Sequence, residues 1–277
     1  MNYSRLTLVL PDEWHEFVIA ELFDLDFEGF EEYDDQLIAS IPAQRFDDTK
    51  RQELELILHR YSEEAYIGQE EIIEPQNWNS NWEKSIRPLA IGRFYVRPTW
   101  GAASADDDEI ELIIDPKMAF GTGYHATTRL MLNEVSSLIK PGDAILDAGT
   151  GTGILGIASM KLGAGSVFGF DIDEWSKENA EENKHINHIR NFDIRLGSIE
   201  QIPPDAKYDG ILANINRNAL IELLPDMISH LNPGGWVLLS GVLVEDEAMM
   251  FEQPSLKSFR HLKTSAEGEW IAMTFRG

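Results

Sequence analysis

The run Ile145-Leu146-Asp147-Ala148-Gly149-Thr150-Gly151-Thr152-Gly153 constrains this chain more than any other stretch: an apolar strand ends in three alternating glycines and enters a helix. Glycines let the backbone come close to a ligand, and a helix N-terminus presents unpaired N–H groups and positive potential. From Glu109 onward the same alternation recurs. Strands are expected at 144–147, 167–171, 192–196, 210–214 and 236–240, with helices near 154–162, 174–187, 217–229 and 245–252. That order calls for an α/β domain with a parallel, doubly wound sheet. The end departs from it, since 258–265 and 269–275 read as two strands joined by a turn at Glu267-Gly268, an antiparallel hairpin on the sheet edge.

Two cofactor classes fit such a loop. Gly151, Gly153 and Gly156 satisfy the G-x-G-x-x-G spacing of a nicotinamide dinucleotide site. Against that, Asp147 stands at the strand end before the first glycine, where it can engage the amino acid part of a cofactor or order the loop. The fingerprint also follows Gly123-Tyr124-His125 and a complete helix, and the edge hairpin is a methyltransferase feature that most dehydrogenases lack. These points favour S-adenosylmethionine. Asp171 ends the second strand and can accept hydrogen bonds from two ribose hydroxyls or cap a helix, for which Asp173 is better placed. Gly197-Ser198-Ile199-Glu200 follows the third strand, where it can flank an adenine; Glu200 reads equally well as a surface acid. Asn214 and Asn216 follow the fourth strand: a carboxamide there can orient an incoming amine or cap the next helix, and the local sequence does not choose. The segment Asp115–Thr128 combines Gly121, Gly123, hydroxyl pairs and Phe120, the makings of a flap over the cofactor. His125 alone reads as a cap or a packed residue.

The first 75 residues differ in kind. They carry 20 acidic and 5 basic side chains, a balance of −15 out of −25 for the whole chain. Such a surface repels phosphate and attracts basic partners. A strand at 5–10, a helix with Trp14, Phe17, Val18 and Leu22 on one face, strands at 29–33 and 36–41 joined at Asp34-Asp35, a helix with Leu54, Ile57, Leu58 and Tyr61, and a strand at 66–73 follow in the order of a ferredoxin-like α+β sandwich. Residues 76–104, rich in Trp and Pro (Trp78, Trp82, Trp100, Pro88, Pro98), read as a linker, and 105–277 as the catalytic domain. Asp106–Glu109 reads as a solvated loop, and no metal site is expected. There is no cysteine, no signal-peptide pattern and no apolar run of the ~18 residues a membrane span needs, so a cytoplasmic protein is expected.

The motifs together resemble one family over nearly the whole chain. D-P-x-M-A-F-G-T-G-x-H-x-T-T at 115–128, L-D-A-G-T-G-T-G-I-L at 146–155, F-D-I-D at 170–173, A-N-I at 213–215, S-G-V-L at 240–243, G-E-W-I-A at 268–272 and N-W-N-x-x-W-E-K in the linker are similar to those of the methyltransferases of large-subunit ribosomal protein eleven. The resemblance implies a class I, Rossmann-like, adenosylmethionine-dependent domain behind a small substrate-recognition domain. It implies methylation of lysine side chains, and in some members of the N-terminal α-amine, of that basic ribosomal protein. Carried onto this chain, cofactor contacts fall on Thr128, Gly149, Gly151, Asp171 and Asn214, with Phe120 and Gly121 in the flap and Asn214 as the catalytic residue. A monomer is expected, with no direct contact to nucleic acid or membrane. Lys117 departs from the family's usual glycine, and Asn216 from a common aliphatic residue. The rival readings are a methyltransferase for another basic protein or a small amine, a non-catalytic binding module for basic proteins, and a dehydrogenase.

Overall fold

Alternation along Tyr3–Val9 (β1) turns Leu6 and Leu8 to one side and Arg5 and Thr7 to the other, as a half-buried strand requires. The computed structural model describes residues 3–73, 86–103, 106, 108–117 and 119–277. The chain divides into two compact units, Met1–Trp78 and Asn79–Gly277. In the first, β1 lies between Gln36–Pro42 (β3) and Tyr66–Ile73 (β4), with Phe30–Tyr33 (β2) outside β3, all antiparallel. The order β2-β3-β1-β4 and the two helices His15–Asp24 and Asp48–Tyr61 make a ferredoxin-like sandwich. Val18, Leu22, Leu54 and Leu58 of those helices join Leu6, Leu8, Leu37 and Ile41 in one core. Asp47 caps the second helix by accepting from the Lys50 N–H at 2.9 Å. Phe17, expected on the apolar face, is instead 55% exposed and stacks on Tyr61 at the rim, their centroids 6.2 Å apart.

The second unit opens with a small sheet. Leu89–Ile91 (β5) pairs antiparallel with Phe94–Arg97 (β6), and β6 pairs parallel with Ile110–Ile113 (β7). These strands fall in and beyond the stretch 76–104 that the sequence reading gives to a linker. From Leu89 on the chain is built into the unit, and Ile91, Phe94 and Val96 share a core with Leu130 and Met131. Pro88 and Pro98 bracket the hairpin from outside its ladder, where a missing N–H costs nothing. Trp78 and Trp82 lie outside the described residues.

The main sheet takes Ala144–Ala148 (β8), Ser166–Asp171 (β9), Phe192–Leu196 (β10), Tyr208–Asn214 (β11), Leu231–Leu243 (β12), Arg260–Glu267 (β13) and Trp270–Arg276 (β14) in the order β10-β9-β8-β11-β12-β14-β13. The first five are parallel; β14 runs antiparallel to β12, and β13 to β14. This is the doubly wound sheet with an antiparallel edge hairpin expected from the sequence. Alternate residues of the central strands feed two cores: Ile145, Leu212 and Leu238 one, Leu146, Ile211 and Val237 the other. The strand order reverses between β8 and β11, so a crevice opens beyond their C-terminal ends. No helix among the described residues is long and apolar enough to cross a membrane.

Gly210 of β11 lies opposite the buried Trp236 of β12, and a Cβ there would come within 2.6 Å of the indole Cη2. Gly210→Ala is therefore expected to destabilise the protein by about 1–3 kcal/mol through overpacking. A fall in the denaturant midpoint at unchanged slope checks this; an unchanged midpoint would mean that the indole can yield.

Candidate functional site

Beyond Ala148 the chain turns through Gly149 and Gly151 at φ 72° and 55°, backbone that favours glycine. Space forbids a side chain there as well: a Cβ on Gly149 would strike the Ile215 side chain, and one on Gly151 the Phe120 carbonyl. Two carboxyl groups hold this loop. Asp171, at the end of β9, accepts from the Gly151 N–H at 2.8 Å through Oδ2 and from the Asp173 N–H at 3.0 Å through Oδ1. Asp147 is wholly buried; its Oδ2 accepts from the Gly156 N–H at 3.1 Å, and its Oδ1 has no partner among the described residues. Burial pushes the Asp147 carboxyl up to about 8, against the opposing pull of the Gly156 N–H. Of its two readings from sequence the structure takes the second: Asp147 orders the loop from below and is absent from the walls of the crevice. Asp173 caps the following helix, Glu174–Ile186, by accepting from the Ser176 N–H at 3.0 Å, which leaves Asp171 on the crevice wall.

The crevice holds a hollow of about 290 Å³ walled by Phe120, Gly149, Gly151, Asp171, Ser198 and Asn214. Glu200 stands outside it, its carboxylate held below its ordinary range by the Ser198 N–H that it accepts at 2.8 Å. A second hollow of about 240 Å³ shares Phe120, Asn214 and Asn216 with the first and adds His125, Thr127 and Trp270. The rings of Phe120, His125 and Trp270 meet in sequence, with centroids 5.1 and 4.9 Å apart. His125 also caps the helix Ala126–Leu138, its Nδ1 accepting from the Thr127 N–H at 3.4 Å.

The structure separates the two asparagines that local sequence could not. Asn216 caps the helix Arg217–Ser229, accepting from the Ala219 N–H at 3.0 Å. Both asparagines line both hollows, but the buried Oδ1 of Asn214 has no donor among the described residues. Two residues assigned by resemblance stand off the walls. Thr128 is buried in the helix with its Oγ1 unpartnered among the described residues, and it is Thr127 that reaches the second hollow. Gly121 lies behind the wall, its carbonyl accepting from Thr152 Oγ1 at 2.6 Å. Lys117 stands at φ 38°, which explains why glycine suits this position, and its Nζ pairs with Glu182. Met118 lies outside the described residues. Trp270 was not assigned from sequence, although it falls within the G-E-W-I-A motif; Ser198, on the wall of the first hollow, belongs to the stretch read as able to flank an adenine.

Comparison with known proteins agrees with this geometry. The sequence profile of the family described as Ribosomal protein L11 methyltransferase (PrmA) matches residues 20–277. The chain belongs to that family. The Ribosomal protein L11 methyltransferase of Chlorobaculum parvum is 36% identical over 276 residues, covering 98% of this chain and 95% of the relative. That of Porphyromonas gingivalis is 36% identical over 274 residues, covering 96% and 93%. Among solved structures, the ribosomal protein L11 methylase of Lactobacillus delbrueckii subsp. bulgaricus superposes with a TM-score of 0.63 at 32% identity, covering 69% of this chain and 98% of that one. Membership of the family and the class I methyltransferase fold are thereby shown.

The Asp147 carboxyl keeps its proton in the folded protein up to about pH 8, whereas the unfolded chain loses it near pH 4. Each step up in pH between these values therefore favours unfolding. Asp147→Asn, which keeps an acceptor for Gly156, is expected to gain stability relative to the parent as pH rises through that window, with no gap left near pH 4. Melting curves across the range check it; a gap that does not grow with pH would contradict it.

Proposed function

We propose that this protein transfers methyl groups from S-adenosylmethionine to amino groups of large-subunit ribosomal protein L11, lysine side chains first among them. The observation that carries the reading is the pair of hollows meeting at Asn214, whose buried carboxamide oxygen is unpartnered among the described residues. An unpaired buried acceptor costs about 1–3 kcal/mol, which a donor from a ligand relieves.

The first hollow fits the methyl donor. Asp171 presents a carboxylate with free lone pairs at the end of the second strand, where the ribose hydroxyls would sit. Gly149 and Gly151 bring backbone to the wall, and Ser198 lies where the adenine would end. When bound, S-adenosylmethionine supplies a methyl already made electrophilic by its sulfonium. The protein's own tasks are alignment and the delivery of a neutral amine. A free lysine has a pKa of about 10.4 and is charged at neutral pH. The apolar faces of Phe120 and Trp270 in the second hollow strip water from the incoming chain and lower that value, so the proton leaves to solvent before the amine is seated. Asn214 Oδ1 then accepts an amine N–H and turns the nitrogen lone pair toward the methyl, an orientation effect. Residues 1–75, with their balance of −15, hold the basic substrate protein. The protein acts as a cytoplasmic monomer.

Asn214→Ala should lower turnover at saturating S-adenosylmethionine by about a hundredfold or more, the scale of losing one oriented group in a buried site. Asn216→Ala, the loss of a cap at a residue that also lines both hollows, should cost about 1 kcal/mol of stability and lower turnover per folded molecule far less than Asn214→Ala does. Methyl transfer to purified ribosomal protein L11 is the assay. Equal turnover in the two variants would remove Asn214 from the chemistry.

A further inference from the structure

The helix Glu174–Ile186 and its C-terminal cap carry Asn179, Asn183 and Asn187 at four-residue spacing, and all three are buried. Four residues of helix advance about 6 Å and two residues of strand about 6.6 Å, so one helix face can match alternate residues of an extended chain. The side chains use that match. Asn187 Oδ1 accepts from the Ile113 N–H at 3.0 Å, and its Nδ2 donates to the Ile113 carbonyl at 2.6 Å. Asn183 Oδ1 accepts from the Asp115 N–H at 2.9 Å, and Asn179 Nδ2 donates to the Asp115 carbonyl at 2.8 Å. The helix thus serves Ile113–Asp115 as a neighbouring strand would.

Asn183 also looks the other way. Its Nδ2 donates to the Thr152 carbonyl in the glycine loop at 2.9 Å. Thr152 in turn donates from its N–H to the Phe120 carbonyl at 2.8 Å and from Oγ1 to the Gly121 carbonyl at 2.6 Å. The Phe120 ring is the aromatic wall common to both hollows. We propose that Asn183, supported by Asn179 and Asn187, is a positioning residue for methyl transfer: it locks the stem at Asp115 to the glycine loop and, through Thr152, fixes Phe120 where donor and amine meet. The proposal rests on the reading of the two hollows given above. It assigns to three helix residues outside both hollows a control over the reacting geometry, not merely over folding.

Asn183→Asp keeps the shape and the acceptor for Asp115 and, assayed above about pH 8 where even a buried carboxyl ionises, presents only acceptors to the Thr152 and Asp115 carbonyls. With the variant fully folded, kcat is expected to fall and KM for S-adenosylmethionine to rise, about tenfold in their ratio, the scale of one buried hydrogen bond. In the protein without ligand, amide hydrogen exchange of residues 119–124 should quicken while that of Ile211–Asn214 stays as in the parent. Thr152→Val removes only the Oγ1 bond to Gly121, should act in the same direction more weakly, and carries the test if Asn183→Asp does not fold. Parental kinetics and parental exchange at 119–124 in a folded variant would overturn the proposal. A parent without methyl transfer would count against the function, whereas the exchange result still decides the role of Asn183.

Discussion

The hydrogen bond from the Gly151 N–H to the Asp171 carboxylate ties the end of β8 to the end of β9, and the crevice takes its shape from that tie. A parallel sheet whose order reverses beside β8 leaves the loops after β8 and β11 with no helix packed between them. Such a gap admits a ligand only if its floor is held. Asp171 holds the floor from the side of β9 and Asp147 from beneath, through the Gly156 N–H. One acid therefore lies on the wall and the other below it. Burial keeps a proton on Asp147 at neutral pH, which spares the interior a charge with no partner.

The tie also decides where everything else at the site can stand. Held at φ 55°, Gly151 has the Phe120 carbonyl against its Cα, so the segment carrying Phe120 rests on the glycine loop. Phe120, so placed, stands on the walls of both hollows. Asn214 lines both as well. A reaction that moves one small group between two bulky partners calls for this arrangement, with a separate seat for each partner and one polar group at the junction. Attraction of a basic protein is a different task. It acts across water and is screened over ~8 Å at physiological ionic strength, and in the function proposed above the acidic residues 1–75 supply it.

Much of this was legible in the sequence, for physical reasons. The central strands β8, β9 and β11 of the main sheet are buried on both faces, so they read as short apolar runs, and the glycine loop announces its own turn. Asp47 and Asp173 stand before helices whose first N–H groups need acceptors, and both serve as caps. The hairpin of β5 and β6 was not legible because its strands are short and two prolines flank them, which resembles a connector. Asn214 and Asn216 could not be told apart because the choice depends on which carboxamide reaches Ala219. The asparagines of Glu174–Ile186 and its C-terminal cap are polar residues on a helix, and their spacing alone does not show that the structure buries them. Their partners at Ile113, Asp115 and Thr152 are backbone groups 31 to 74 residues away in the chain, and nothing local signals them. Residues matched by motif, such as Thr128, share a family's pattern without the pattern saying which of two adjacent threonines turns to the hollow.

The most direct test of the central claim follows the methyl group itself. The protein is incubated with S-adenosylmethionine carrying a deuterated methyl and with purified ribosomal protein L11, and the intact mass of L11 is recorded with peptide mapping. The account predicts whole increments of labelled methyl on L11, located on lysine or N-terminal nitrogen, and none when the protein is left out. An L11 mass that stays unchanged while the label appears on a free small amine would contradict it.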